Sequence, residues 1–347
     1  MNDSDHTVSN LLWRLHDVTL RGVGRARLDG VSLNIASGTT AVIGYSGAGK
    51  TSLLKLLVRF ERPDAGRVES SGVFESPRAR IPPAPPLDVG EKPRVAGGND
   101  ARLPLFWVPQ TDGLWPHLSV FEHLTTVLPP GVNANAAKEL LTAFDLLALR
   151  DARPDRLSQG ERSRLAVARA LASHAKVLVM DEPLVHVDPA RAGTYWNVVR
   201  DHCRTTATSL VIATHSPEVV LREAEHVVCL SGGCVAFAGD VPTLYDRPPS
   251  RELARFLGPI NWFTPDEATW WLGVTSAGDV SCRPERLSVV RDDASPLVIR
   301  SSRFAGSVAE IELSDDRGAP PMTIFHRPAI DDLRPGDRVT LRVSDVD

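Results

Sequence analysis

The segment Gly44-Tyr45-Ser46-Gly47-Ala48-Gly49-Lys50-Thr51 constrains this chain more than any other feature. Thr39-Thr-Ala-Val-Ile43, a nearly continuous β-branched run, precedes it, and Ser52 with Leu53, Leu54, Leu56 and Leu57 follows. A buried strand, a glycine-rich turn and a buried helix form the context in which G-x-x-x-x-G-K-[ST] becomes a phosphate-binding loop. The glycines let backbone N–H groups curl around phosphate oxygens, and the helix N-terminus adds a partial positive charge. In that role Lys50 reaches the outer phosphates and the Thr51 hydroxyl meets Mg²⁺. Strands alternating with helices over residues 30–240 argue an α/β domain with a largely parallel sheet.

The rest of the chain fits that expectation up to about residue 240. Val31-Ser-Leu33-Asn-Ile35 alternates as a strand does, and strand and helix patterns then take turns. Helices are expected over Thr51–Phe60, Val120–Leu128, Ala136–Leu149, Ser158–Ser173, Ala190–Arg204 and Pro217–Ala224. Strands are expected at Leu105–Val108, Lys176–Met180 and Ser209–Ala213, with a hairpin turning on Ser231-Gly-Gly. Of 27 prolines, seven lie in residues 77–104, which read as a loop or disordered insertion. After about residue 260 come five short β-rich runs separated by Pro, Gly and Asp turns, the pattern of a small all-β barrel.

Charge and cysteine usage narrow the class. The 39 basic and 43 acidic residues leave a formal charge of −4, so no basic coat for nucleic acid is present. No apolar run approaches the roughly 18 residues that cross a bilayer, and the acidic start Met1-Asn-Asp-Ser-Asp-His lacks a secretory pattern. The four cysteines (Cys203, Cys229, Cys234, Cys282) have no metal-ligand spacing and read as reduced thiols of a cytoplasmic chain.

Further motifs follow in order. Val177-Leu-Val-Met180 ends in Asp181-Glu182, where one carboxylate can meet a metal and the next can orient water. Ser158 and Glu161 in Leu157-Ser158-Gln159-Gly160-Glu161 stand in capping-box register. A capped helix start still offers N–H groups to an anion.

A phosphate loop, then Gln110, then Leu-Ser-x-Gly-x, then Asp181-Glu182, then His215 is a motif order that resembles the ATPase subunits of ABC transporters. The resemblance covers about residues 12–260. It implies a P-loop ATPase fold using ATP and Mg²⁺, with the whole run Gly44 to Ser52 holding nucleotide. It implies Glu182, His215 and Gln110 as catalytic groups, and Thr51, Gln110 and Asp181 around Mg²⁺. Ser158, Gln159, Gly160 and Glu161 would form the signature that meets ATP held by the opposite subunit of a homodimer. Leu184 to Asp188 resembles the D-loop, with Asp188 at its end and Val185 where a serine is usual. The aromatic residue on which the family stacks adenine is missing: Gly22 takes its place, with Trp13 or another ring as a substitute, or no stack at all. Trp107 and Trp115 are expected in the core.

The tail narrows the resemblance to importer ATPases. Arg283-Pro-Glu285 and Leu333-Arg-Pro-Gly-Asp337 resemble the entry and closing strand of their regulatory (TOBE, OB-like) barrel. The expected division is a nucleotide-binding domain over 1–240 with a helical subdomain at about 111–170, a linker helix over 241–262, and a barrel over 263–347. Implied partners are membrane permease subunits, a periplasmic or extracellular solute-binding protein and a second copy of the chain, with no nucleic acid. The implied place is the cytoplasmic face of the membrane. Iron(III) or another inorganic ion leads as solute, with sulfate, polyamines and sugars as alternatives. A non-transport ABC ATPase and a weakly hydrolysing regulator stay open as other readings.

Overall fold

The computed structural model describes residues 11–71, 102–316, 318, 320–327 and 333–344. The proline-rich stretch expected as an insertion lies outside them up to residue 101. Contacts divide the chain into two units, with the boundary between Asp240 and Val241.

The first unit opens with β1 (Leu11–Arg21), β2 (Ala26–Ala36), β3 (Thr39–Ile43), α1 (Lys50–Leu57) and β4 (Ala65–Ser70). After the undescribed stretch come β5 (Leu105–Val108), α2 (Val120–Thr125), α3 (Asn135–Ala143) and α4 (Gln159–Ala172). It closes with β6 (Val177–Asp181), α5 (Pro189–Thr206), β7 (Ser209–Ala213), α6 (Pro217–Glu223), β8 (His226–Ser231) and β9 (Cys234–Asp240). The main sheet runs β5-β6-β7-β3-β8-β9, parallel except for the antiparallel edge strand β9. A second, antiparallel sheet runs β2-β1-β4.

The buried residues of β6 and β7 form nearly unbroken apolar stretches, as a sheet covered on both faces requires. One core joins β1 and β2 to Leu53, Leu54, Leu56 and Leu57 of α1 and to the inner face of the main sheet. Trp13 lies in it at 1% exposure, its indole N–H donating to the Leu57 carbonyl at 3.1 Å. It is therefore a core anchor and no substitute for a stacking ring.

Two helices are shorter than their leucine patterns predict. Val120–Thr125 stops before Pro129-Pro130, and Asn135–Ala143 stops where Asp145 turns to φ +53°. Leu147–Leu149 is then a separate 3₁₀ turn. Leucine periodicity records the buried stripe, but the left-handed Asp145 breaks the hydrogen-bond ladder between its two halves.

A histidine pair inside this unit gives its stability a pH dependence. His174 and His202 meet edge to face at 5.6 Å, and the His202 Nε2 is buried with no partner among the described residues. Burial, reinforced by His174, lowers the His202 pKa to about 4. Burial also lowers those of His174 and His123. A histidine depressed in the fold adds stability above its unfolded pKa of about 6.5 and loses it as pH falls toward the folded value. For His202 that is on the order of 3 kcal/mol. Asp112 and Asp181, raised by burial, act in the opposite sense. The expected result is a urea midpoint that falls between pH 6.5 and 4, with a flatter fall in His202→Gln. An unchanged slope in that variant refutes the assignment.

The second unit begins with α7 (Val241–Asp246) and α8 (Arg251–Arg255). The single linker helix expected over 241–262 is thus two short helices, separated by Pro248-Pro249. The strands are β10 (Asn261–Phe263), β11 (Val280–Cys282), β12 (Leu287–Arg291), β13 (Leu297–Ala305), β14 (Val308–Asp315), β15 (Met322–His326) and β16 (Val339–Val343). They pair as three small antiparallel sheets, β10-β11, β12-β16 and β13-β14-β15, around one apolar core. A bridge from Val298 to Arg338 links the last two, consistent with an OB-like domain. A short helical turn over 265–272 places Trp271 in the same core.

Arg283, from the Arg-Pro-Glu segment, is 2% exposed and holds this unit together. It donates to the carbonyls of Tyr245, Ala254, Gly258 and Pro259, and its guanidinium lies 4.2 Å from the Tyr245 ring centre. A buried guanidinium needs such partners, and these bind α7 and α8 to the β-rich part.

Candidate active site

The parallel ladder brings the motifs together. Val42 pairs with Ala213, Ala213 with Asp181, and Met180 with Val108, so β3, β7, β6 and β5 end at one level. The residues just beyond those ends are the loop after Ile43, His215, Glu182 and Gln110. Sites of open α/β sheets lie at this carboxyl edge, because loops leaving adjacent strands there converge.

They line a cavity of about 480 Å³ formed by Ser46–Ser52, Gln110, Asp181, Glu182 and His215, with Arg25 and Arg27 on its rim. Gly44 and Tyr45 start the loop but do not line the cavity, and Tyr45 is 54% exposed. Gly49 has φ +105°, and a Cβ there would come within 2.5 Å of the Arg27 carbonyl. Only glycine therefore permits this entry into α1. The Lys50 ammonium curls back over the loop, donating to the Gly44 carbonyl at 2.7 Å and more weakly to that of Tyr45.

Asp181 closes β6 at 2% exposure. Burial raises its pKa, opposed by a hydrogen bond from Thr51 and by Lys50. Its Oδ2 has no hydrogen-bond partner among the described residues. Glu182 continues the ladder, its N–H donating to the Ala213 carbonyl at 2.9 Å, but takes φ +52°. A left-handed non-glycine residue is strained, and such strain gathers at functional positions. The Glu182 side chain is 10% exposed, and its Oε2 accepts from His215 Nδ1 at 2.9 Å.

The residues that resemble the signature and D-loop stand apart from this cavity. Ser158 caps α4: its hydroxyl accepts from the Glu161 N–H, and the Glu161 carboxylate accepts from the Ser158 N–H at 2.8 Å. That backbone bond, with one donated by the Ser158 hydroxyl at 2.9 Å, holds the Glu161 carboxyl below its usual pKa. The capping box is thus real, and Gln159 and Gly160 form the first turn. Asp188 caps α5, accepting from the Ala190 N–H at 3.0 Å. A Cβ on Gly160 would sit 2.9 Å from the His186 carbonyl, so these two motifs pack on each other within the chain.

Trp115 corrects an expectation. It is 36% exposed rather than buried, and stacks on His123 at 5.7 Å. Trp107 is partly buried against the core. Arg169 of α4, 2% exposed, lies 4.8 Å from the Trp115 ring centre and donates to the carbonyls of Asp112 and Gly113. Burial lowers its pKa to about 10. Arg169 therefore clamps the segment after Gln110 to the helix that Ser158 caps. Nothing local in the sequence marks it; it reads as one more charge on an amphipathic helix.

Arg25 and Arg27 also line the cavity without having been expected there, because no motif in their hairpin marks a ligand. Arg27 is committed to Glu61, with Nη2 2.7 Å from Oε2, and holds that carboxyl below its usual pKa. The position matching Gly22 offers no ring, and among the described residues no Phe, Tyr or Trp side chain lines the cavity.

Residues 28–185 match the family model described as ABC transporter. The chain is 30% identical to the Fe(3+) ions import ATP-binding protein FbpC 3 of Rhodococcus jostii, over 92% of this chain and 93% of that protein. It is 31% identical to the sulfate/thiosulfate import ATP-binding protein CysA of Methylococcus capsulatus, over 92% and 94%. Among solved structures, a dimeric ATP-binding cassette in a post-hydrolysis state with ADP and Pi aligns at a TM-score of 0.53. It is 22% identical, over 66% of this chain and 99% of that one, a likeness of fold. Similarity that runs through both units of the chain leaves one placement: it belongs to the ABC transporter family, among the import ATP-binding proteins.

Proposed function

We propose that this chain is the ATP-hydrolysing motor of an importer, working as a homodimer beneath separate permease subunits at the cytoplasmic face of the membrane. A periplasmic or extracellular binding protein delivers the solute. The observation that carries this is the convergence of Lys50, Thr51, Gln110, Asp181, Glu182 and His215 on one cavity. No helix among the described residues is long and apolar enough to cross a membrane, and in this reading the partners supply the span. The relatives named for Fe(3+) and sulfate/thiosulfate favour an inorganic ion as solute.

Backbone N–H groups of the loop and the start of α1 receive the phosphates, with Lys50 on the outer ones. The orphaned, buried Oδ2 of Asp181 beside Thr51, with the Gln110 amide in the same cavity, makes an all-oxygen donor set that suits Mg²⁺. When bound, that ion neutralises charge on the β- and γ-phosphates. Glu182 orients the attacking water and accepts its proton, while His215 holds the carboxylate in place.

Ser158–Glu161 lie outside the cavity, on a helix start that a second copy brings to the γ-phosphate. Mixed dimers test this. Lys50→Ala and Gly160→Asp each abolish hydrolysis alone, and their mixture recovers part of it through one intact composite site. A mixture as inactive as its components would count against sharing of the site between copies.

A further inference from the structure

We infer that the Arg25 guanidinium is the platform on which the nucleobase rests. This stands on the reading of the cavity as a nucleotide site. The outer-phosphate end is set by Gln110, Glu182 and His215 at the strand tips, with Lys50 and Thr51 beside them. The loop Ser46–Gly49 lines the same cavity, and the other lining residues, Arg25 and Arg27, belong to the β1–β2 hairpin. A base attached beyond the α-phosphate has that hairpin to lie on.

The two arginines are not equivalent. Arg27 is held by Glu61 and by the Arg21 carbonyl at 3.1 Å. Arg25 is exposed and has no carboxylate partner among the described residues; its bond is a long one, Nη2 to the Gly47 carbonyl at 3.4 Å. That nitrogen lies 2.8 Å from where a Cβ of Gly47 would be, so the guanidinium uses the space the glycine leaves. The hairpin holds it there through a turn in which the Gly22 N–H donates to the Arg25 carbonyl at 2.9 Å.

A planar, delocalised guanidinium stacks on ring faces, which an ammonium does not do equally. Every base has such a face, and arginine carries only donors, so guanine with its O6 and N7 acceptors is accepted as readily as adenine. The site is therefore tolerant of base identity, with ATP and GTP binding within about threefold of each other.

Binding of ATP, GTP and inorganic triphosphate, each with Mg²⁺, to the full chain and its Arg25 variants tests this. Arg25→Ala and Arg25→Lys both weaken ATP and GTP by roughly 5- to 30-fold and leave triphosphate affinity unchanged. Arg25→Trp restores ATP binding. Equal weakening of triphosphate, or wild-type nucleotide affinity in Arg25→Lys, would show a plain phosphate charge and overturn the inference. Strong preference of the wild-type protein for ATP over GTP would overturn it too. If the wild-type protein bound none of the three, the cavity assignment itself would fall, and the inference with it.

Discussion

Glu182→Gln binds ATP at least as tightly as the wild-type protein and hydrolyses it at least about a hundredfold more slowly. The substitution keeps the shape of the side chain and can still accept the His215 Nδ1 hydrogen bond seen at 2.9 Å. It removes a negative charge facing the γ-phosphate, so binding does not suffer. What it cannot do is take a proton from water. The low exposure of Glu182 makes the loss severe, since no bulk water can move in to replace a carboxylate that is 10% exposed. Phosphate release under single-turnover conditions, with nucleotide binding measured separately, reads both halves of the expectation. Hydrolysis near the wild-type rate refutes the role given to Glu182 while leaving the phosphate loop untouched.

Lys50→Ala is expected to fail earlier, at binding as well as turnover, by about a hundredfold or more in the rate. The Lys50 ammonium is bonded to the Gly44 carbonyl at 2.7 Å and lies on the first residue of α1. Its loss removes a charge from the outer phosphates that no other side chain on the loop carries. The side chain is partly exposed, so the thermal midpoint should hardly move, which separates a binding defect from misfolding. An ATP affinity unchanged by the substitution contradicts the loop assignment.

The motifs proposed as catalytic stand out in the sequence because each is a short run whose neighbours also matter. The phosphate loop shows the β-branched strand before it and the leucines after it. Asp181-Glu182 shows the apolar strand that ends there, and the capping box of Ser158 and Glu161 shows the helix it starts. His215 and Gln110 are single residues with no such frame, and only the order of motifs singled them out. For the proposed base end the sequence shows only a lack, Gly22 in a segment without rings. Trp13, weighed as a substitute, is consumed by the core.

Local sequence alone determined that a phosphate loop, an acidic strand tip and a capped helix start exist here, because glycine torsions, β-branching and capping act over a few residues. The length of α3, the exposure of Trp115 and the company of Arg25 and Arg169 were decided by tertiary structure. The site depends on which strand pairs with which: the order β5-β6-β7-β3 puts residues 110, 182 and 215 beside a loop at 44–51. The β1–β2 hairpin brings Arg25 to the same rim, although nothing in its own neighbourhood announces a ligand. Side-chain burial and pairing across the chain cost or stabilise only once those partners are chosen, and no local pattern encodes the choice.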